Sequence, residues 1–222
     1  MKSICFDLDR TLINSIDGIY RSLEFACIKN KLTLAPIDDL RNQIGPPLQN
    51  YLKKIIYEDI NDTQIDKLIK DFRFHHNQEG FRSYTLFPDA VALLKYIKEE
   101  NNLNKIFVVT NKPFNLSKKS IFFLKINEFI NDIFSIDGSS DNNFIWPDYI
   151  VRSKNNILKL LAEKEITSYE NYYVGDTMGD FNATKNTKFK FIYASYGYGN
   201  LITEKIQLLK IKKLYQLTQL IF

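Results

Sequence analysis

Cysteine is scarce: Cys5 and Cys27 are the only two in 222 residues. That is too few for a disulfide framework or a multi-cysteine zinc site. No stretch reaches the roughly 20 uncharged apolar residues that a membrane span needs. Even the Leu- and Ile-rich tail is interrupted by Lys205, Lys210, Lys212 and Lys213. An excess of one charge sign is also missing, because 30 Lys and Arg stand against 26 Asp and Glu for a net +4. The lysines are scattered or sit at helical spacing, so neither nucleic acid nor a membrane surface is an expected partner. The start, MKSICFDLDRTL, places Asp7, Asp9 and Arg10 where a secretory signal would carry an apolar run. A reduced, cytoplasmic protein is expected. Internal repeats and low-complexity segments are absent. What is there is ordinary globular material, 45% hydrophobic and 25% charged, which excludes disorder, collagen and coiled coil. The length suits one core domain with a smaller unit inserted or appended.

Four short apolar runs punctuate the chain and read as buried strands: Ser3 to Phe6, Lys105 to Thr110, Asn171 to Gly175 and Phe189 to Ala194. Helical patterns alternate with them. Asp89 to Glu100 follows Pro88 with Val91, Leu94 and Ile97 on one face; Leu116 to Leu124 is a second; Asn155 to Lys164 presents Ile157, Leu160 and Leu161. The alternation predicts an α/β fold with a Rossmann-like parallel sheet. Between about Ser15 and Tyr84 no comparable strand occurs, and spacings such as Leu48, Leu52, Ile55 and Ile56 are helical. The expected organisation is therefore an α/β core domain of residues 1–14 and 85–222 with an inserted helical domain of residues 15–84.

In open α/β sheets ligands bind beyond the carboxyl ends of the strands. The first strand ends in Asp7-Leu8-Asp9-Arg10-Thr11, the second in Thr110-Asn111-Lys112, and a later one in Gly175-Asp176-Thr177-Met178-Gly179-Asp180. Carboxylates gathered at one sheet edge repel one another unless a cation neutralises them, and oxygen-only ligands favour a hard divalent ion such as Mg²⁺. Asp7 and Asp9, two residues apart, share a face if the strand geometry persists, which turns Leu8 inward. A carboxylate can attack a phosphorus whose oxygens are neutralised, giving an aspartyl phosphate. A second carboxyl group can protonate the leaving alcohol and then activate water.

These segments, with Lys154 at the head of a helix, resemble in order and spacing the four motifs of the haloacid dehalogenase (HAD) superfamily. The resemblance covers the whole chain. The helical insert, Ile44-Gly45-Pro46-Pro47-Leu48 and Ala194-Ser195-Tyr196-Gly197-Tyr198-Gly199 resemble the phosphoglycolate phosphatase-like branch, whose inserted domain is a helical cap. The resemblance implies that Asp7 is the nucleophile and a metal ligand. It implies that Asp9 is the general acid/base, with its backbone carbonyl on Mg²⁺, and that Asp176 is a further ligand. Thr110 and Lys154 would hold phosphate oxygens, joined by Asn111. Asp180 would reach the metal through water or orient Lys154, Thr11 would steady the loop by hydrogen bonding, and Gly45 would face substrate.

Two departures stand out. Arg10 replaces a residue that is commonly glycine; it reads either as a second anion or cap contact or, as the favoured alternative, as a surface arginine turned away. The lysine motif lacks its frequent following proline, leaving Lys159 and Lys164 as rivals that read as solvated helix-face residues. Lys112 reads as a surface residue, as do Lys118 and Lys119. His75 and His76, adjacent on a helix, point about 100° apart and are poorly placed to share a metal. Cys5 and Cys27 read as core thiols, Arg41 and Arg82 as weak cap candidates, and Tyr193, Tyr196 and Tyr198 as packing residues. The expectation is a Mg²⁺-dependent phosphatase of a small phosphorylated metabolite (phosphoglycolate-like, sugar phosphate or nucleotide), monomeric by default with a dimer as alternative. The alternatives are a β-phosphoglucomutase-like phosphotransferase and a noncatalytic binding protein on the same fold.

Overall fold

The computed structural model describes residues 1–41, 43, 48–137, 152–164, 169–199 and 208–222. The chain divides into two compact units, Met1–Ile13 with Leu86–Phe222, and Asn14–Thr85.

Among the described residues, the first unit is built on a six-stranded sheet. Its strands are β1 (Lys2–Phe6), β4 (Lys105–Thr110), β5 (Asp132–Ser135), β6 (Glu170–Gly175), β7 (Phe189–Ala194) and β8 (Leu209–Ile211), in the spatial order β5-β4-β1-β6-β7-β8. Every pairing between neighbours is parallel. The crossovers are helices α5 (Ala90–Glu100), α6 (Phe114–Phe123), α7 (Lys154–Lys164) and α8 (Met178–Thr184), and α9 (Gln216–Ile221) closes the chain. A separate two-stranded ribbon pairs β2 (Ile13–Asn14) with β3 (Thr85–Leu86). The central strands read as continuous apolar runs because both sheet faces are covered. Phe107, Cys5, Tyr173 and Phe191 lie side by side across four strands and pack with Ile157, Leu158 and Leu161 of α7. Leu93, Leu94 and Ile97 of α5 are fully buried, each contributing about 1.5–3 kcal/mol of apolar burial. Val91, expected on that buried face, is instead 45% exposed; the helix seats itself on Ala90, Leu93, Leu94 and Ile97.

The second unit is helical. It comprises α1 (Ile16–Asn30), α2 (Ile37–Arg41), α3 (Leu52–Ile55) and α4 (Asp62–Gln78), with 3₁₀ turns at Leu48–Asn50 and Gly80–Ser83. Helix α1 packs along α4 through buried faces that include Leu23, Ala26, Ile65 and Leu68. Asn61 caps α4 in a reciprocal box with Gln64, satisfying two backbone N–H groups that the helix itself leaves unpaired. Ile56 leaves the helical pattern, its extended backbone bridging Leu34. His76 is buried, its Nδ1 2.9 Å from Ser22 Oγ and its Nε2 2.6 Å from the Tyr84 hydroxyl. His75 lies on the same serine at 3.1 Å, so both histidines belong to a polar network of the helical unit. Among the described residues no helix is long and apolar enough to cross a membrane.

Candidate active site

Parallel register brings the site together. Phe6, Val108 and Val174 are level across β4, β1 and β6. Asp7, one residue on from Phe6, and Thr110 and Asp176, two residues on from Val108 and Val174, therefore all emerge at the carboxyl edge of the sheet. Asp7 keeps a ladder bond, its N–H donating to the Val174 carbonyl at 2.9 Å. The chain then turns tightly: the Leu8 carbonyl accepts from the N–H groups of Leu12 and Ile13 at 3.1 and 3.0 Å, and the Arg10 N–H donates to the Ile13 carbonyl at 2.7 Å. Leu8 is fully buried. Arg10 takes the left-handed region, with φ of 67°, which costs a non-glycine residue roughly 1–2 kcal/mol. Thr11 steadies this loop through its carbonyl, which accepts from the Tyr196 hydroxyl at 2.7 Å. The Thr11 hydroxyl, expected to do so, meets no hydrogen-bond partner among the described residues.

Lys154 is the hub. At the head of α7 its ammonium lies 2.7 Å from Asp7 Oδ1 and 2.7 Å from Asp180 Oδ1, and all three side chains are buried. Asn155 fastens the same helix to the end of α8 by donating to the carbonyls of Ala183 and Lys185. Asp180 is held from several sides. Thr177 caps α8 and exchanges hydrogen bonds with Asp180, while the Tyr173 hydroxyl lies 3.0 Å from Asp180 Oδ1. Of the lysine's rivals, Lys159 is half-buried on α7 and the Lys164 side chain lies outside the described residues.

Asp7, Asp176 and Asp180 each offer a carboxylate oxygen, and these oxygens lie within 4.8 Å of one another. Burial pushes the Asp7 carboxyl up to about 6 against the pull of Lys154. Burial likewise pushes Asp176 up to about 7, with Arg10 opposing it. Burial acts on Asp180 too, but Lys154 and the hydrogen bonds from Thr177 and Tyr173 outweigh it and hold this carboxyl below its ordinary value. Neither Asp176 oxygen meets a hydrogen-bond donor among the described residues, although the side chain is fully buried. A buried, unsatisfied carboxylate facing two others is a costly arrangement for a protein alone. An all-oxygen donor set of this kind fits a hard divalent cation. Backbone closes around Asp176: a Cβ on Gly199 would lie 2.3 Å from Asp176 Oδ2, and one on Gly197 2.6 Å from Asp176 Cβ.

Two cations differ from the sequence expectation. Arg10 is not a surface residue turned away; it is buried, its Nε 3.2 Å from Asp176 Oδ2 and its guanidinium 5.7 Å from the centre of the Tyr198 ring. Lys112 is not a surface residue either. Its ammonium lies 3.0 Å from each carboxylate oxygen of Asp9, and its side chain is only 5% exposed. Its carbonyl is gripped by the hydroxyls of Ser135 and Ser117 at 2.6 and 3.3 Å, and its N–H donates to Thr110 Oγ1 at 3.2 Å. The only sequence signal was adjacency to a strand-ending threonine. Asp9 thus directs its carboxylate to Lys112 and lies outside the three-carboxylate cluster. Thr110 is buried, Asn111 is exposed, and Gly45 lies outside the described residues.

Comparison with known proteins places this geometry. The family model described as haloacid dehalogenase-like hydrolase matches residues 4–194, and the chain belongs to that family. A phosphoglycolate phosphatase from Aquifex aeolicus is 27% identical over 201 residues, covering 90% of this chain and 88% of that protein. The pyrophosphatase PpaX from Oceanobacillus iheyensis is 27% identical over 137 residues, covering 62% of this chain and 60% of that protein. Among solved structures, a haloacid dehalogenase-like hydrolase from Streptococcus pneumoniae superposes with a TM-score of 0.78 at 20% identity, over 99% of this chain and 98% of that one. The chain is an enzyme of the hydrolase class, in the phosphatase-like part of its family.

Proposed function

We propose that the protein is a Mg²⁺-dependent phosphatase acting on a small phosphorylated metabolite through an aspartyl-phosphate intermediate on Asp7. The observation that carries this reading is the convergence of Asp7, Asp176 and Asp180 on one another and on Lys154 at the carboxyl edge of the sheet. Asp7, Asp176 and Asp180 would hold the ion, which when bound neutralises phosphoryl oxygens so that an anionic nucleophile can approach them. Asp7 is the nucleophile. Lys154 orients it and supplies positive charge to the transferring group, with Thr110 adding a hydroxyl. Asp9 protonates the leaving oxygen and later takes a proton from the attacking water, and Lys112 fixes the direction in which its carboxylate points. The helical unit serves as the cap.

The names of the relatives suggest substrates with an anionic leaving group, phosphoglycolate or pyrophosphate. The test is phosphate release from phosphoglycolate, pyrophosphate, sugar phosphates and nucleotides, with Mg²⁺ and with chelator. Mg²⁺-dependent release concentrated in one compound class is expected. Isomerisation of a hexose 1-phosphate without phosphate release would identify a phosphotransferase instead.

A further inference from the structure

The site's charge inventory carries one more step. Asp7, Asp176 and Asp180 contribute three negative charges when ionised, and Lys154 and Arg10 return two positive ones; Asp9 and Lys112 pair with each other. Lys154 is engaged by Asp7 and Asp180, each at 2.7 Å. Asp176 is left to Arg10, whose Nε stands 3.2 Å from Oδ2 without forming a hydrogen bond to it. The arginine reaches this point from left-handed backbone, φ 67°, a conformation glycine takes without steric cost. Its long side chain is buried and lies near the ring of Tyr198.

We infer that Arg10 is a built-in counter-ion for Asp176 that competes with the divalent ion for this carboxylate and thereby sets the affinity of the site. The inference rests on reading the three carboxylates as a metal site. A guanidinium beside a ligand oxygen opposes a second cation there whether it stays and repels the ion or swings away and loses its partner. Removal of the positive charge therefore strengthens metal binding, and retention of a charge at the same position does not. Arg10 is in this sense a positioning residue, acting on the ion through Asp176.

Binding of Mg²⁺ alone, measured by calorimetry, and of Mn²⁺, measured from the paramagnetic signal of the free ion, tests this without turnover. The proteins to compare are wild type, Arg10→Gly, Arg10→Asn and Arg10→Lys, with Asp176→Asn as the control that loses the site. Glycine and asparagine both tolerate left-handed backbone, which protects the fold of the uncharged variants. The expected result is a dissociation constant about tenfold lower in Arg10→Gly and Arg10→Asn, and within about threefold of wild type in Arg10→Lys. Equal or weaker binding by both uncharged variants overturns the role of Arg10 while leaving the metal site standing. Absence of binding by all four proteins overturns the metal reading and this inference with it.

Discussion

Lys112 Nζ and the carboxylate of Asp9 form a forked ion pair, 3.0 Å to each oxygen, between residues 103 positions apart in sequence. The pair is largely shielded, with Lys112 side-chain exposure of 5% and Asp9 of 26%. A general base must point its ionised oxygen at the proton it removes, and an ammonium on both oxygens favours that ionised form, so a fixed carboxylate direction is an asset for the step in which Asp9 takes a proton from water. Lys112→Ala is expected to lower kcat by about tenfold to a hundredfold while leaving KM within about threefold. Lys112→Arg should recover part of the loss. Steady-state kinetics on the best substrate decide this; a change confined to KM would place Lys112 on substrate rather than on Asp9.

Asp7→Asn keeps the shape of the side chain and removes the nucleophilic charge. Turnover should fall by at least about 10⁴-fold. Circular dichroism and the melting transition should show an intact fold, because Asp180 remains to pair with Lys154. An active Asp7→Asn enzyme, freed of contaminating host phosphatase, would contradict the assignment.

The metal-free protein should respond to pH in an unusual direction. Asp7 and Asp176 have carboxyl groups pushed up by burial to about 6 and about 7. Unfolded, they ionise near their ordinary value of 3.8. Between that value and about 7 the folded protein holds the more protons, so stability falls as pH rises. In chelator the protein should melt higher at pH 5.5 than at pH 7.5. Added Mg²⁺ should raise the melting temperature more at pH 7.5, where both carboxylates are mostly ionised, than at pH 5.5, where both are mostly protonated. Equal Mg²⁺ stabilisation at the two pH values would argue against binding through these groups.

Gly199 and Gly179 make a matched steric pair. A methyl group at Gly199 would meet Asp176 Oδ2 at 2.3 Å, whereas one at Gly179 meets nothing nearer than Thr177 Oγ1 at 3.4 Å. Gly199→Ala should destabilise the protein by about 1–3 kcal/mol and weaken metal binding by displacing Asp176. Gly179→Ala should be close to neutral. Thermal melts of the two variants, with and without Mg²⁺, give the comparison.

What the sequence revealed and what it hid follow from the same physics. Strands β1, β4, β6 and β7 were legible because both faces are covered, which demands unbroken apolar runs. Strand β5 begins with Asp132, whose carboxylate bonds the N–H of Ile133, and β8 is an edge strand of Leu209, Lys210 and Ile211 with two exposed residues. Neither has the run that identifies a buried strand. Asp7, Thr110 and Asp176 could be singled out because parallel strands end at one edge, so local sequence carries their placement. The partners of Arg10 and Lys112 could not be read locally. Each is fixed by a residue more than a hundred positions away, and a long cation has the same sequence signature whether buried or solvated.

The most direct measurement of the central claim is a single-turnover reaction with the best phosphorylated substrate, quenched in acid and followed by mass spectrometry of the peptide that carries Asp7. The account predicts a transient phosphoryl group on Asp7, present with Mg²⁺, absent in chelator and absent from Asp7→Asn. Release of phosphate by wild type with no such adduct at Asp7, or with the group carried on another residue, would contradict it.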